Sequence, residues 1–527
     1  MTLSLYPDLF NDVFGPIMQP GSSSHTAAPC RMGYLCNSIL GEKPVEITIQ
    51  MDTEGSFVGT FGSMNEDLGM LAGALGFLPD DSRLFDVKEI CKKEGINYKF
   101  DFCEMKESPH LNSLKFILKS KSGKESSIVA NSIGGGMIET VLVNGYPFQG
   151  QGDTYVVLIF DENGEINHRE LELKLQNIDI FESGLNTSSE KVLHWFKTSD
   201  KPKGIENILN EYDFAIMKPI LPVATRKEKK PALFDSMTKW IELAKEQNVG
   251  LAEIAIQYEI NSSGWNREEI LNYMEKVRKY MHRQTHAIYE EDVIVREFSF
   301  TGNKYKEWSE YSENKNPLCG NVITLALKYA YAAQAAIPGI PFVPGPMGTG
   351  GGFVYAVLSA VQELNGYKKD DLIRALFVAA GVGAISYART NPTGEVIGCA
   401  GECGVCMSMA AAGLSEMIGS TPEQIEASAS LAMQSAIGWP CDTIPGGFWQ
   451  PCGSRVTTTV AMAITFAELA RANTDPVLPY HEVIDVADEI GRSMDRGLLC
   501  TAGGGHCNAP TAQKYICEFK EWHKNQI

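Results

Sequence analysis

Three cysteines in the second half of this chain stand in sequence unsuited to a plain core. Cys399 lies in Glu395-Val396-Ile397-Gly398-Cys399-Ala400-Gly401-Glu402, Cys441 in Pro440-Cys441-Asp442, and Cys452 in Gln450-Pro451-Cys452-Gly453-Ser454-Arg455. Each neighbours Gly or Pro, in turn-like sequence between apolar, Ala-rich runs. Thiolates presented from turns at helix ends suit a soft metal centre better than a packed interior. The chemistry to expect of Cys399, Cys441 and Cys452 is an iron–sulfur centre acting on a small substrate.

A second arrangement overlaps the first. Cys399, Cys403 and Cys406 form Cys-x3-Cys-x2-Cys, the spacing that radical SAM enzymes use for their cluster. That motif belongs early in a (β/α) barrel, whereas here it leads into helical sequence with no strand–helix repeat. Cys403 and Cys406 are therefore expected to face a core or line the site.

Other polar groups have two readings each. Gly21-Ser22-Ser23-Ser24-His25-Thr26 precedes an apolar helix, and such a turn offers amides and hydroxyls to a carboxylate. Ordinary helix capping is the plainer reading. Gly345-Pro346-Met347-Gly348-Thr349-Gly350-Gly351-Gly352 resembles a phosphate loop but lacks the Lys-Ser/Thr that follows one. It either holds a carboxylate on its amides or packs helices closely. His110, in the polar turn Ser108 to Ser113, is a site histidine or a solvated one. Gly503-Gly504-Gly505-His506-Cys507 is backbone passing close to something, or a flexible tail.

Elements to position these groups change character along the chain. Residues 1–150 read as an α/β domain: Val45 to Met51 alternates like a half-buried strand, and Leu68 to Phe77 is a helix stopped at Pro79-Asp80-Asp81. Residues 151–228 read as a connecting region with one strand, Thr154 to Phe160. Arg226-Lys227-Glu228-Lys229-Lys230 reads as a solvated linker. Residues 229–527 carry helical spacing throughout, with runs such as Asp370 to Tyr387 and Met407 to Ile418 apolar on most sides. The expected fold is α+β, an N-terminal α/β domain followed by a largely all-α catalytic domain.

Composition narrows the partners. The chain has 527 residues, enough for two to four domains, and a formal net charge of −19. That charge argues against a general nucleic-acid binder, although one local Arg or metal still binds a small anion. Met1 to Phe14 lacks the basic and apolar pattern of a signal peptide. The Ala-rich stretches after residue 320 are broken by Lys328, Pro338, Pro341 and Pro344, so no clean membrane span is expected. Thirteen cysteines are too sparse for a disulfide scaffold, and a cytoplasmic protein with metal or redox chemistry is the expectation.

Together these residues resemble the iron–sulfur-dependent L-serine dehydratases (L-serine ammonia-lyases), in a single-chain arrangement. A first block, similar to the family's β part, includes Gly21 to Thr26, Pro79-Asp80-Asp81, His110 to Ser113 and Ser132-Ile133-Gly134-Gly135-Gly136. A second, similar to its α part, runs from Leu233 to Gly505. Its most specific piece is Gly398-Cys399-Ala400-Gly401-Glu402 followed by Ser408-Met409-Ala410-Ala411-Ala412-Gly413. The spacing of 42 residues from 399 to 441 and 11 from 441 to 452 is family-like.

The resemblance implies a [4Fe–4S] cluster on Cys399, Cys441 and Cys452, with one iron left open as a Lewis acid. It implies β-elimination from a small amino acid, first L-serine, giving pyruvate and ammonia without pyridoxal phosphate. Ser23, Ser24 and Asn112 become substrate-binding groups, Arg455 a carboxylate clamp or a support to the cluster, and a homodimer the assembly by analogy. The chain departs from the family where a Gly-His-Gly-Thr-Asp segment usually precedes Pro-Asp-Asp. Here the stretch is Gly62-Ser63-Met64-Asn65-Glu66-Asp67, with no histidine between His25 and His110. The proton acceptor therefore falls to another group, with His25 and His110 as equal candidates. Two rivals stay open: a cysteine desulfidase or other β-eliminating relative, and a non-catalytic cluster protein that senses redox state or iron.

Overall fold

Alternation in Val45 to Met51 becomes strand β1 (Pro44–Asp52) in the computed structural model of the chain, with Ile47, Ile49 and Met51 turned into a core. β1 pairs in parallel with β2 (Asn97–Cys103) and antiparallel with β3 (Ser113–Ser120). β4 (Glu125–Gly134), β5 (Met137–Val143) and β6 (Tyr146–Pro147) complete a six-stranded sheet ordered β2-β1-β3-β4-β5-β6. A parallel pair needs a crossover, and the helices Glu66–Ala74 and Val87–Glu94 lie in that connection. Helix Ala28–Leu40 shares one core with these strands, through Met32, Leu35 and Ile39.

The structure describes residues 7–62, 65–110, 112–189, 191–227, 231–295, 304–444 and 451–524. Ser63 and Met64 of the departing segment, Leu111, Glu228 to Lys230 of the charged run, and Gln450 lie outside these.

Where the sequence suggests only a connection, the chain folds. Strand β7 (Tyr155–Asp161), helix His168–Lys174, strands β8 (Ile180–Ser188) and β9 (Lys191–Thr198), helix Ile205–Ile208 and strand β10 (Phe214–Met217) form a βαββαβ unit. Its sheet is antiparallel throughout, ordered β10-β7-β9-β8. Val157, Ile159, Leu171, Phe196, Ile205 and Leu209 give it a core of its own. It belongs with the six-stranded sheet to one compact unit, Gly21–Lys229 with Ser263–Trp265.

The other compact unit is helical and joins Met1–Pro20 to Lys230–Ser262 and Asn266–Ile527. Phe10 and Phe14 are fully buried in it. The Tyr258 hydroxyl donates to the Pro7 carbonyl (2.8 Å), the Leu9 amide to Glu259 Oε2 (2.8 Å), and Met18 exchanges backbone bonds with Phe342 (3.0 and 2.6 Å). Its centre is formed by helices Gly350–Asn365, Lys369–Arg389, Val405–Met417, Pro422–Ala436 and Cys452–Arg471. Val405–Met417 is buried on all sides except at Glu416, as an Ala-rich, nearly uncharged helix must be. Lys369–Arg389, at 21 residues, is long and apolar enough to span a bilayer by length and composition, which the broken Ala-rich stretches do not lead one to expect. Here its residues from Leu372 to Ser386 lie almost wholly inside the helical core. Helix Tyr480–Ser493 docks on it through a Tyr480–Ser386 hydroxyl bond of 2.7 Å.

Candidate metal centre and polar network

In the helical unit the three cysteines arrive from three separate places. Cys399 caps a turn of π-helix, Ala400–Gly404, that runs into Val405–Met417; such wide turns often mark functional positions. Cys441 sits on an isolated parallel bridge to Leu499. Cys452 opens the helix Cys452–Arg471. Cys399 is 2% exposed and Cys441 4%. Gly394 fronts the site, where a methyl group would press on Cys441 Sγ at 2.7 Å and Glu402 Oε2 at 3.4 Å.

Charge binds this neighbourhood together. A hydrogen bond from the Cys403 thiol, helped by the Arg455 guanidinium against the effect of burial, brings the Cys399 thiol down to about 7. The same bond pushes the Cys403 thiol well up. Cys441 is pushed well up by its bond to the Cys500 thiol and by burial, and Cys452 to about 12 by burial and the Cys399 charge. Burial, with the charges of Cys399 and Glu395 beside it, pushes the Glu402 carboxyl well above the usual carboxylate range. Thr443 Oγ1 lies 3.2 Å from Cys452 Sγ. Arg455 Nη1 is buried without a hydrogen-bond partner, while Nη2 donates to Asp442 Oδ1 at 2.8 Å.

The glycine-rich segment near residue 505 is the outer wall of this region. The Cys441 amide donates to the Leu498 carbonyl (2.8 Å) and the Cys500 amide to the Cys441 carbonyl (2.7 Å). The Cys507 thiol donates to the Thr443 carbonyl at 3.3 Å. Gly505 has φ +57°, and a Cβ there would collide with the Asp442 carboxylate. Burial opposes ionisation of Asp442, yet the amide and ring of His506 and the Arg455 guanidinium hold its carboxyl below the usual range. Among the described residues no three His, Cys, Asp or Glu side chains converge as ligands of one ion.

Of the compact thiol run, Cys403 lies between Cys399 and Met347 Sδ (3.7 Å), and Cys406 donates into helix packing at the Gly350 carbonyl (3.3 Å). In the phosphate-like loop the amides that open helix Gly350–Asn365 are used internally. Gly350 donates to Met347, Gly351 to Val343 and Gly352 to Thr349 (2.8, 2.9 and 3.0 Å). Gly351 and Gly352 also pack closely, with a Cβ at either meeting neighbours within 3 Å.

The α/β unit gathers a different set. Residues Ser23–Ala27 form a second π-turn leading into helix Ala28–Leu40. The Ser22 hydroxyl accepts from the His25 amide (3.2 Å), and Thr26 Oγ1 from the Ser22 amide (3.0 Å), so the turn is capped from within. The capping frees the next layer for a side-chain network. Ser24 Oγ meets His25 Nδ1 at 3.0 Å, His25 Nε2 meets Ser56 Oγ at 3.3 Å, and the Ser56 hydroxyl donates to Asn112 Oδ1. Burial lowers His25 to about 4, leaving a neutral imidazole near pH 7. His110 Nδ1 accepts from the Asn112 amide (3.1 Å) and is lowered by burial, with Glu139 opposing. Ser108 and Ser113 anchor this loop on Asn131 Oδ1 (2.9 and 2.6 Å), at the register Ser113↔Asn131 between β3 and β4.

Thus Ser24, His25 and Asn112 share one network, His110 adjoins it through the backbone, and Ser23 contributes a carbonyl to the helix start. Ser22 makes the helix-capping contact that its turn suggests, whereas Ser56, Asp442 and Cys500 carry contacts that their types and spacing do not announce. A lone serine after Gly55 has no pattern to read. Asp442, adjoining Cys441, is the one with a positional hint.

Residues 226–506 match the family model described as "Serine dehydratase alpha chain". The chain is 28% identical over 281 residues to "L-serine dehydratase, alpha chain" of Peptoniphilus asaccharolyticus, covering 53% of this chain and 96% of that one. It is 32% identical over 183 residues to the "L-serine dehydratase, beta chain" of the same organism, covering 34% and 81%. It is 26% identical over 283 residues to "Probable L-serine dehydratase, alpha chain" of Bacillus subtilis, covering 54% and 94%. With more than half its length matched to the α-chain model and a substantial part similar to the β chain, this chain belongs to the L-serine dehydratase family.

Proposed function

We propose that the chain is a lyase that eliminates the β-substituent of a small amino acid, first L-serine to pyruvate and ammonia, with a [4Fe–4S] cluster on Cys399, Cys441 and Cys452. The observation that carries this is the donor set: three thiols on separate elements, two of them nearly sealed from solvent, with the Arg455 guanidinium beside Cys399 and Cys452 and the Cys399 sulfur near Cys441. Thiolates on a cluster bind separate irons, so they stand farther apart than ligands of a single ion. Cys399 is already inclined to ionise, and the orphaned Arg455 Nη1 is a donor in search of an anion. These residues fit the group.

When bound, a cluster with one iron free of protein supplies a Lewis acid that makes the β-hydroxyl a better leaving group. The chain's own groups do the rest. Arg455, fixed by Asp442, offers its second nitrogen to an anion. Glu402, whose carboxyl burial pushes well up, is the group placed to donate a hydrogen bond or a proton. Of the two histidines His25 is the base we favour, because its ring is oriented at both nitrogens by Ser24 and Ser56 and is unprotonated near pH 7, with burial weakening its intrinsic basicity. A free amino acid is the partner, not nucleic acid or a membrane, and a cytoplasmic homodimer is the working assembly.

The test is anaerobic purification, iron and sulfide counting, and a screen of serine, threonine and cysteine for 2-oxo acid. About four irons per chain with pyruvate from serine supports the proposal. Sulfide from cysteine in place of that would make the chain a desulfidase, and a cluster without turnover would make it a sensor. No iron after anaerobic reconstitution would sink the cluster.

A further inference from the structure

Cys441 has a neighbour that no iron-binding role requires. The bridge between Cys441 and Leu499 sets Cys500 one residue further along, with its amide on the Cys441 carbonyl at 2.7 Å. Strands about 4.8 Å apart with a rise of about 3.3 Å put such diagonal Cα atoms roughly 6 Å apart, inside the range that a disulfide spans. Cys500 is exposed, whereas Cys441 is buried. Cys500 also has φ +62°, a left-handed conformation uncommon outside glycine, which departs from the alternation of a regular strand.

We propose that Cys441 and Cys500 are a redox pair, forming a disulfide under peroxide when Cys441 is free of iron. The Cys500 thiolate attacks the peroxide O–O bond, giving a sulfenic acid and hydroxide. The Cys441 sulfur then displaces hydroxide from that sulfenic acid as its own proton is lost. Two thiols and one peroxide become one disulfide and two waters. Cys399 and Cys403 are also thiol neighbours, but both are buried and share one helical turn, so an oxidant in water meets Cys500 first. The disulfide removes a ligand from the apo-protein and guards it from irreversible oxidation. That consequence for iron rests on the proposed function; the bond does not.

The experiment uses the full chain without iron, treated with one equivalent of hydrogen peroxide, alkylated, digested and mapped by mass spectrometry. The expected product is a Cys441–Cys500 cross-linked peptide, with two of the thirteen thiols lost and both regained with dithiothreitol. Iron uptake by oxidised wild type should fall at least tenfold until it is reduced, and Cys500→Ser should keep its uptake after peroxide. Cys441 linked to Cys399 or Cys403, or Cys500 recovered free or as sulfinic acid, would overturn the pair. A chain that cross-links but takes up no iron before oxidation would keep the pair and count against the cluster, so the two ideas fail separately.

Discussion

Asp442 accepts two hydrogen bonds from His506 on one oxygen, from the amide at 2.9 Å and from Nδ1 at 2.6 Å, while its other oxygen takes Arg455 Nη2 at 2.8 Å. One carboxylate thus ties the segment around residue 505 to the turn of Cys441 and to the helix of Cys452. Asp442 is 3% exposed, so these charge-assisted bonds are poorly replaced by water.

Asp442→Asn should free that segment and leave Arg455 underpaired in a buried place, at a cost of about 3 kcal/mol. Limited tryptic cleavage after Arg496 is the measurement. Cleavage no faster than in wild type would show that Asp442 does not hold the segment.

Cys441→Ala should abolish iron binding, whereas Cys403→Ala should keep the cluster. Iron and sulfide per chain after anaerobic reconstitution decide it. Equal loss in both variants would return the compact Cys399, Cys403, Cys406 set to consideration.

Gly394→Ala places a methyl group against Cys441 Sγ and Glu402 Oε2. Overpacking of this kind costs about 1–3 kcal/mol, and here it falls on a proposed ligand. Iron occupancy should drop while the far-ultraviolet circular dichroism is kept; full occupancy would mean the site has slack.

His25→Ala should lower kcat for serine by about 10²–10⁴ with iron content unchanged, as for a lost general base. His110→Ala should cost less than about tenfold, because its role is to order a loop. A reversed ranking would move the base to His110.

Stability should also report on His25. Its folded value, about 4, lies below the usual 6.5, so between those values the unfolded chain binds the extra proton. The stabilisation is fully present above pH 6.5 and is lost progressively as pH falls towards 4, about 3 kcal/mol in all. Urea denaturation from pH 7.5 to 4.5 should show a shallower decline in His25→Gln than in wild type. Parallel declines would place the pH sensitivity elsewhere.

How much of this is legible in sequence depends on how local the cause is. Val405–Met417 announces itself because burial on all sides demands an unbroken apolar run. Cys399, Cys441 and Cys452 stand out because Gly and Pro beside a cysteine argue against ordinary packing. By contrast β8 is half-exposed along its length, Ile180–Ser188, so no alternation marks it and the βαββαβ unit stays hidden. Ser56 matters only because folding brings it from 31 residues away to His25. Cys500 and His506 gain meaning from pairing across 59 and 64 residues with Cys441 and Asp442, which spacing alone does not encode.

The helical unit borrows residues 7–20 from the far side of the α/β unit in the chain, and this has a bearing on how the protein is made. Those residues leave the ribosome before the helices that bury Phe10 and Phe14 have been translated. Some two hundred residues of another unit are synthesised in between. Partners as distant as Leu9 and Glu259 are slow to find one another. Phe10 and Phe14 therefore stay available to chaperones through most of synthesis, and a two-chain version cut near residue 229 would have to recover them from the wrong piece.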